Sequence, residues 1–106
     1  MKGNILKNTD QSNNSQENDA TKPVLEFPVT YELKVIFDTS LQQTVHQRNL
    51  ELVLEDAKVS FSDVKFRPSR AGNYVSISVT VDLDSEMQMH LLYKRLRLLP
   101  GIKLAI

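Results

Sequence analysis

Cysteine, tryptophan and long apolar runs are missing from this chain of 106 residues. Without cysteine it can form no disulfide framework, thiol nucleophile or zinc–thiolate site. It has only three glycines, Gly3, Gly72 and Gly101, too few for a glycine-rich phosphate loop. No segment approaches the roughly 20 apolar residues of a membrane span, and the N-terminus lacks the apolar run of a signal peptide. We therefore expect a cytoplasmic protein that is not associated with a membrane.

Net charge is also missing, because 13 basic residues balance 13 acidic ones. The charge is unevenly distributed along the chain, however. Residues 24–56 carry two basic against six acidic residues, which gives −4, and residues 57–106 carry eight against four, which gives +4. A neutral total disfavours a dedicated nucleic-acid binder, which is usually basic. The basic second half can still steer an anionic partner toward one side of the molecule.

Two regions differ sharply in composition. Residues 1–23 are rich in Asn, Gln, Ser and acidic residues and have almost no apolar side chains to bury, which predicts a disordered tail. Its deletion should leave the folded core intact. Residues 24–106 carry regular apolar patterns, which predict a single folded domain.

In the first half of this domain, the pattern of apolar residues predicts a strand followed by a helix. Alternation over 30–38 places Leu33, Val35 and Phe37 on one face of a strand. The hydroxyls of Thr39 and Ser40, each followed by a glutamine three residues later, resemble capping boxes. They predict a helix over 41–55 whose apolar face contains Leu41, Val45, Leu52 and Val53.

The second half predicts a hairpin, a helix and a last strand. A short strand over 63–67, with Val64 and Phe66 facing inward, ends at Pro68. A turn at Gly72-Asn73, with positive φ at Gly72, leads into a strongly alternating strand over 74–83. Ser85 to Gln88 forms a second capping box, before a helix that buries Met89, Leu92, Leu96 and Leu99. Pro100-Gly101 ends this helix, and an edge strand with alternating Ile102, Leu104 and Ile106 follows.

The predicted element order is therefore β-α-β-β-α-β. One apolar face on every strand and one apolar stripe on each helix predict a four-stranded antiparallel sheet with both helices on one face. With right-handed crossovers this is the α+β, ferredoxin-like arrangement, with strand order 4-1-3-2.

Several short segments carry a family resemblance. They are Leu25-Glu26-Phe27-Pro28, Lys34-Val35, Pro68-Ser69, Gly72-Asn73-Tyr74 with the following Ser76-Ile77-Ser78-Val79, and Gly101-Ile102-Lys103-Leu104. With them, residues 25–106 resemble the YbeD-like family of small bacterial proteins of unknown function. The resemblance implies a ferredoxin-like fold close to ACT regulatory domains, and no established activity. ACT domains commonly bind amino acids beside a glycine in the first strand–helix turn. Here that turn, 38–40, contains no glycine, which disfavours the same use.

The basic turn after the second strand is the main candidate site. Arg67 and Arg70 flank Pro68-Ser69, and Asn73 and Tyr74 follow. Lys65 lies two residues before Arg67 in the predicted strand. Because guanidinium groups and outward-pointing turn amides can hold a phosphate or carboxylate, this turn can bind an anion. The alternative is a solvated hairpin whose charges keep the edge strand from pairing with other chains.

Other candidate sites are weaker. Asp82, Asp84 and Glu86 offer oxygen ligands for a divalent cation, but acidic residues are also favoured at a helix N-terminus by its dipole. His46 and His90 have no second histidine at ligand spacing, and no serine lies in a nucleophile elbow. We therefore expect no catalytic residue, no metal and no cofactor.

The open face of the sheet bears on the class of partner. We predict that it contains Lys34, Ile36, Lys65, Arg67, Ser76, Ser78, Thr80, Lys103 and Ala105. With no aromatic ring in its centre and Tyr74 only at the rim, it disfavours stacking of RNA bases. The sequence favours a small regulatory or adaptor module that binds an anionic metabolite or a protein partner without catalysis. The alternative is a weakly nucleic-acid-associated protein that uses the basic surface, and a homodimer is left open.

Overall fold

The computed structural model describes residues 25–106, which fold into two helices on one side of a four-stranded sheet. The predicted tail over 1–23 and the predicted domain start at Val24 lie outside the described residues. The strands are β1 (Val29–Asp38), β2 (Ser60–Pro68), β3 (Tyr74–Leu83) and β4 (Ile102–Ala105), and the helices are α1 (Gln43–Asp56) and α2 (Glu86–Leu96).

The strands lie in the order β2-β3-β1-β4, and every neighbouring pair is antiparallel. This arrangement confirms the predicted ferredoxin-like topology. β1 and β3 form the centre of the sheet and pair over all ten of their residues, from Val29 opposite Leu83 to Asp38 opposite Tyr74. No helix in the described part of the chain is long and apolar enough to cross a bilayer.

The core lies between the sheet and the two helices. Fourteen apolar residues are buried there: Leu33, Val35, Phe37, Leu50, Leu54, Ala57, Val59, Val75, Ile77, Val79, Val81, Leu83, Leu92 and Leu96. The alternation in β1 and β3 supplies eight of them, because every second residue of these strands faces the helices. The opposite face of the sheet has no covering layer within the described residues.

The predicted inward face of α1 is largely wrong, although Val53 does pack against the core. The helix buries His46, Leu50 and Leu54, whereas Val45 and Leu52 are exposed. The predicted capping box is also wrong, because Gln42 occupies the N-cap position without a side-chain hydrogen bond. The Ser40 hydroxyl instead donates to Oδ1 of Asp38 at 2.5 Å, and the backbone N–H of Ser40 donates to the same oxygen at 3.0 Å.

The start of α2 follows the sequence prediction closely. Oγ of Ser85 accepts a hydrogen bond from the backbone N–H of Gln88 at 3.1 Å, which confirms the N-cap. The side chain of Gln88 reaches back to the N–H of Asp84 at 2.7 Å, one residue earlier than a standard capping box requires. Leu92 and Leu96 are buried, and Met89 and Leu99 pack against the core.

A bulge in β2 decides which of its side chains face the helices. Ser62 pairs with Thr80 and Lys65 with Ser78, so that two residues, Asp63 and Val64, oppose one residue of β3. Asp63 adopts the positive φ of 55° that accommodates this extra residue. Strict alternation from the half-buried Phe61 would turn Lys65 and Arg67 toward the helices. The bulge reverses the phase and places both on the open face.

Phe66 only partly follows its prediction. By its pairing with Ile77 it lies on the helix side of the sheet, but it is 55% exposed, so the helices leave it largely uncovered. The strand also begins three residues before the predicted start, because Ser60 to Ser62 pair with β3 ahead of the bulge.

A second irregularity changes the predicted face of β4. Ile36 pairs with Leu104, whereas Phe37 pairs with Ile102, so Lys103 is an extra residue between the two pairs. Ile102 and Ala105 therefore pack against the core, and Leu104 shares the open face with Ile36. The prediction that Ala105 lies on the open face, with Leu104 facing inward, is wrong.

Candidate functional site

The basic turn folds into a tight β2–β3 connection. Gly72 has φ +78°, which confirms its predicted left-handed conformation, whereas Asn73 does not adopt a positive φ. Ser69 organises the turn: its backbone N–H donates to the carbonyl of Tyr74 at 2.8 Å, and its Oγ accepts from the N–H of Tyr74 at 3.1 Å. Its carbonyl accepts from the N–H of Gly72 at 3.0 Å.

These hydrogen bonds reduce the number of backbone N–H groups in the turn that can donate to an anion. The sequence suggested the amides of 71–73 as outward donors, but the N–H of Gly72 is used within the turn, as is that of the following Tyr74. An anion here would therefore depend chiefly on the guanidinium groups of Arg67 and Arg70. Each presents five N–H donors in a planar fork that matches carboxylate and phosphate oxygens.

Arg67, Arg70 and Tyr74 line one shallow groove of about 620 Å³ on the open face. Its remaining walls come from neighbouring residues of the turn and the two central strands: Ile36, Pro68, Ser69 and Ser76. The structure thus brings three of the four predicted site residues together. Asn73, the fourth, does not line this groove.

The charges around the groove favour an acidic ligand. Among residues 25–106, no carboxylate lies within ion-pair distance of Arg67 or Arg70. Lys65 differs, because its Nζ lies 3.5 Å from Oε2 of Glu32. Both of those side chains are largely exposed, so water and salt weaken this pair. The two arginines are therefore better placed than Lys65 to accept a new partner.

A second group of polar residues lies where β1 ends. Asp38 turns back to bind Ser40, and the pKa of its carboxyl is lowered chiefly by the Ser40 hydroxyl bond and then by the Ser40 N–H. Nε2 of the buried His46 donates to the carbonyl oxygen of Asp38 at 2.9 Å. Because a carbonyl can only accept, the proton lies on Nε2. Nδ1 is buried and has no partner among the described residues.

Gly101 packs directly against this group. It has φ +75°, and a Cβ at this position would lie 2.6 Å from Oδ1 of Asp38 and 2.8 Å from Cε1 of His46. A glycine thus does lie beside the first strand–helix turn, although it comes from the opposite end of the sequence. The space beside it is filled by the chain's own side chains. The sequence missed this contact because positions 38, 46 and 101 meet only in the folded chain.

The other candidate residues, all within the part of the chain that the structure describes, do not come together into one site. Among the described residues, no three His, Asp or Glu side chains come together as a metal site, so Asp82, Asp84 and Glu86 form none. Asp82 accepts a hydrogen bond from the Thr30 hydroxyl. Nε2 of His90 lies 3.6 Å from Glu86 on the exposed side of α2.

Comparisons with known proteins agree with the fold and leave the activity open. A family model described as "Protein of unknown function (DUF493)" matches residues 22–106. The chain is similar to a UPF0250 protein of Janthinobacterium sp. (strain Marseille), with 33% identity over 82% of this chain and 94% of the relative. These matches confirm the resemblance to the YbeD-like family.

Two solved structures share the fold. The solution structure of protein HP0495 from H. pylori superposes with a TM-score of 0.64 at 18% identity, and covers 87% of this chain and 96% of the other. The ACT domain of a GTP pyrophosphokinase from Chlorobium tepidum gives a TM-score of 0.57 at 6% identity, over 73% and 94% of the two chains. At these identities the likeness shows a common fold alone.

Proposed function

The chain belongs to the DUF493 family of proteins of unknown function, and we propose that it is a small, non-catalytic binding module of regulatory or adaptor type. Its groove between Arg67, Arg70 and Tyr74 binds an acidic group, carried by a metabolite or by a protein partner. A phosphate or carboxylate would meet the two guanidinium groups, and Tyr74 would supply an aromatic surface beside them.

The observation that carries this proposal is that Arg67 and Arg70 line the same groove. Within residues 25–106 both lack an ion-pair partner, and both line the same space. A hydrogen bond to a charged group contributes about 1.5–3 kcal/mol, so two such groups in one groove can give measurable affinity. None of the lining residues described here is a carboxylate or an imidazole, which supports binding without proton transfer.

The ACT-like fold also supports a binding role, although fold alone does not assign function. In this chain the first strand–helix turn is closed by Asp38, Ser40 and Gly101, whose atoms approach one another closely. The open groove lies instead on the β2–β3 connection, whose Tyr74 pairs with Asp38 at the end of β1. This placement supports a site that differs from the strand–helix turn.

The proposal can be tested by a titration of the full-length, 15N-labelled chain with inorganic pyrophosphate and, separately, with citrate. We expect the largest amide shift changes at residues 67–76, and an affinity that falls as salt is added. Shifts concentrated instead around Lys94 of α2 and Arg97 just after it, or spread evenly over all basic residues, would contradict the proposal.

A further inference from the structure

One row of side chains crosses the whole open face of the sheet. Arg67 of β2 lies opposite Ser76 of β3. Ser76 lies opposite Ile36 of β1, and Ile36 lies opposite Leu104 of β4. Because directly paired residues of antiparallel strands share a face, these four side chains stand side by side. The row runs from a cation through a small hydroxyl to two apolar residues.

The neighbouring row has the same order except on β1, where a cation, Lys34, replaces the apolar residue. Lys65 lies opposite Ser78, and Ser78 lies opposite Lys34. Lys34 and Ile106 exchange two backbone hydrogen bonds of 2.9 and 2.8 Å, which places Ile106 on the same face. Leu104 and Ile106 are 47% and 58% exposed, an uncommon state for large apolar side chains next to each other.

We propose that this open face binds an amphipathic α-helix of a partner protein, one that carries an acidic stripe beside an apolar stripe. The inference rests on the proposed function, since the acidic stripe would occupy the Arg67–Arg70 groove. It specifies the ligand further, as a protein helix whose apolar residues contact Leu104 and Ile106.

The width of the face fits a helix. Adjacent strands lie about 4.8 Å apart, so the cations of β2 and the apolar residues of β1 and β4 are separated by roughly 10–14 Å. An α-helix with its side chains is about 10–12 Å wide. The small side chains of Ser76 and Ser78 on β3 leave a low floor between the two walls, along which a helix can lie.

The spacing along the strands also fits a helix. Residues two apart on a strand, such as Lys65 and Arg67, are separated by about 6.7 Å. Residues four apart on a helix are separated by about 6 Å along its axis. Acidic residues at positions i and i+4 can therefore face Lys65 and Arg67 together. Apolar residues at a second i, i+4 pair can face Leu104 and Ile106.

The charge of this face selects the partner. At the end of the face next to the β2–β3 turn, cations outnumber acids: Lys34, Lys65, Arg67 and Arg70 against Glu32 and Asp38. The third acid of the face, Asp82, lies at the far end, where it accepts a hydrogen bond from the Thr30 hydroxyl. A second copy of the chain would bring cations against cations, which disfavours self-association through this surface. A nucleic acid would match the cations, but it would leave Leu104 and Ile106 without apolar contacts. An acidic amphipathic helix matches both halves of the face.

The test is selection from a displayed library of 18-residue, alanine-rich helices randomised along one face, with the full-length chain as bait. We expect enriched peptides to carry Asp or Glu at i and i+4 beside a stripe of Leu, Ile, Met or Phe. The dissociation constant of an enriched peptide should rise at least tenfold in Leu104→Ser/Ile106→Ser and in Arg67→Ala/Arg70→Ala. Met87→Ser/Leu98→Ser, which changes two exposed apolar residues away from the sheet, is the matched control and should bind normally.

The outcomes separate the inference from the proposed function. If no acidic and apolar pattern is enriched, or if Leu104→Ser/Ile106→Ser binds the peptide within twofold of the parent, the helix inference is overturned. The proposed function then survives if pyrophosphate binding still requires Arg67 and Arg70, and fails if it does not. Tighter binding of a 12-nucleotide oligouridylate than of any enriched peptide, or dimerisation that Leu104→Ser/Ile106→Ser abolishes, would also overturn the inference.

Discussion

Nε2 of His46 donates a hydrogen bond to the backbone carbonyl of Asp38, over 2.9 Å, and thereby ties α1 to the end of β1. The imidazole is fully buried and stacks on the ring of Phe37, with ring centres 4.3 Å apart. This single side chain thus fixes where the first strand ends and how the first helix packs against it.

Truncation of this residue, His46→Ala, should therefore be costly. The change removes the stacking contact, leaves a cavity and leaves the Asp38 carbonyl without its donor. We expect a loss of about 2–4 kcal/mol in the free energy of unfolding, measured by urea denaturation. His90→Ala, on the exposed face of α2, is the control and should change stability by less than about 0.5 kcal/mol. Equal effects of the two substitutions would show that the buried position of His46 is wrong.

The two glycines with positive φ should respond differently to the addition of a methyl group. Gly72→Ala meets no atom within 4 Å and adds only backbone strain, about 1 kcal/mol. Gly101→Ala adds the same strain and also forces Cβ against Asp38 and His46, so we expect a total cost above about 3 kcal/mol. Thermal or urea unfolding of both variants measures the difference. A Gly101→Ala protein as stable as Gly72→Ala would contradict the close packing at Gly101.

Asp38 should contribute to stability in a pH-dependent way. Its folded-state pKa is lowered, chiefly by the Ser40 hydroxyl and then by the Ser40 N–H. A lowered pKa gives stabilisation that is present above the unfolded value near 3.9 and is lost as pH falls through the folded value. We expect the stability advantage of the parent over Asp38→Asn to be constant from pH 7 to about 5 and to shrink below about 4. An advantage that stays constant down to pH 2.5 would contradict this assignment.

Tyr31 should contribute a pH dependence of stability with the opposite sign, so that its contribution is lost as pH rises in the alkaline range. Its hydroxyl lies 2.8 Å from that of Tyr93, and its pKa is raised, first by burial and then by this hydrogen bond. Stabilisation by a group with a raised pKa is present below the unfolded value, about 10 for tyrosine, and is lost as pH rises above it. Between pH 9 and 11 we expect Tyr31→Phe to lose less stability than the parent in urea denaturation. Parallel losses would remove Tyr31 as the cause.

The sequence predicts the sheet well because β1 and β3 alternate without interruption. Both are central strands, and their apolar face is dictated by burial against the helices. The edge strands are harder to predict, since each contains one extra residue that reverses its phase. Asp63, a residue type that tolerates positive φ, was the only local sign of the bulge in β2. No comparable sign marks Lys103 in β4.

The inward face of α1 could not be predicted from the polarity of its residues, because a polar side chain is buried there and an apolar one is exposed. His46 is buried while Val45 beside it is exposed, since the imidazole finds an acceptor in the Asp38 carbonyl eight residues earlier. At the candidate site, the sequence identified Arg67, Arg70 and Tyr74 from their positions around one turn. It could not place Leu104 in the same row, because that row depends on the irregular pairing of β4.

The most direct test of the binding role is the affinity of the full-length chain for pyrophosphate, measured by calorimetry in three proteins: the parent, Arg67→Ala/Arg70→Ala, and Lys94→Ala/Arg97→Ala. The last pair, the α2 variant, removes two exposed cations, Lys94 of α2 and Arg97 just after it, and matches the first in charge. We predict that loss of Arg67 and Arg70 weakens binding at least tenfold, equivalent to about 1.4 kcal/mol, while the α2 variant binds within twofold of the parent. Equal weakening of both variants would reduce the effect to net charge, and unchanged binding by Arg67→Ala/Arg70→Ala would contradict a functional site in this groove.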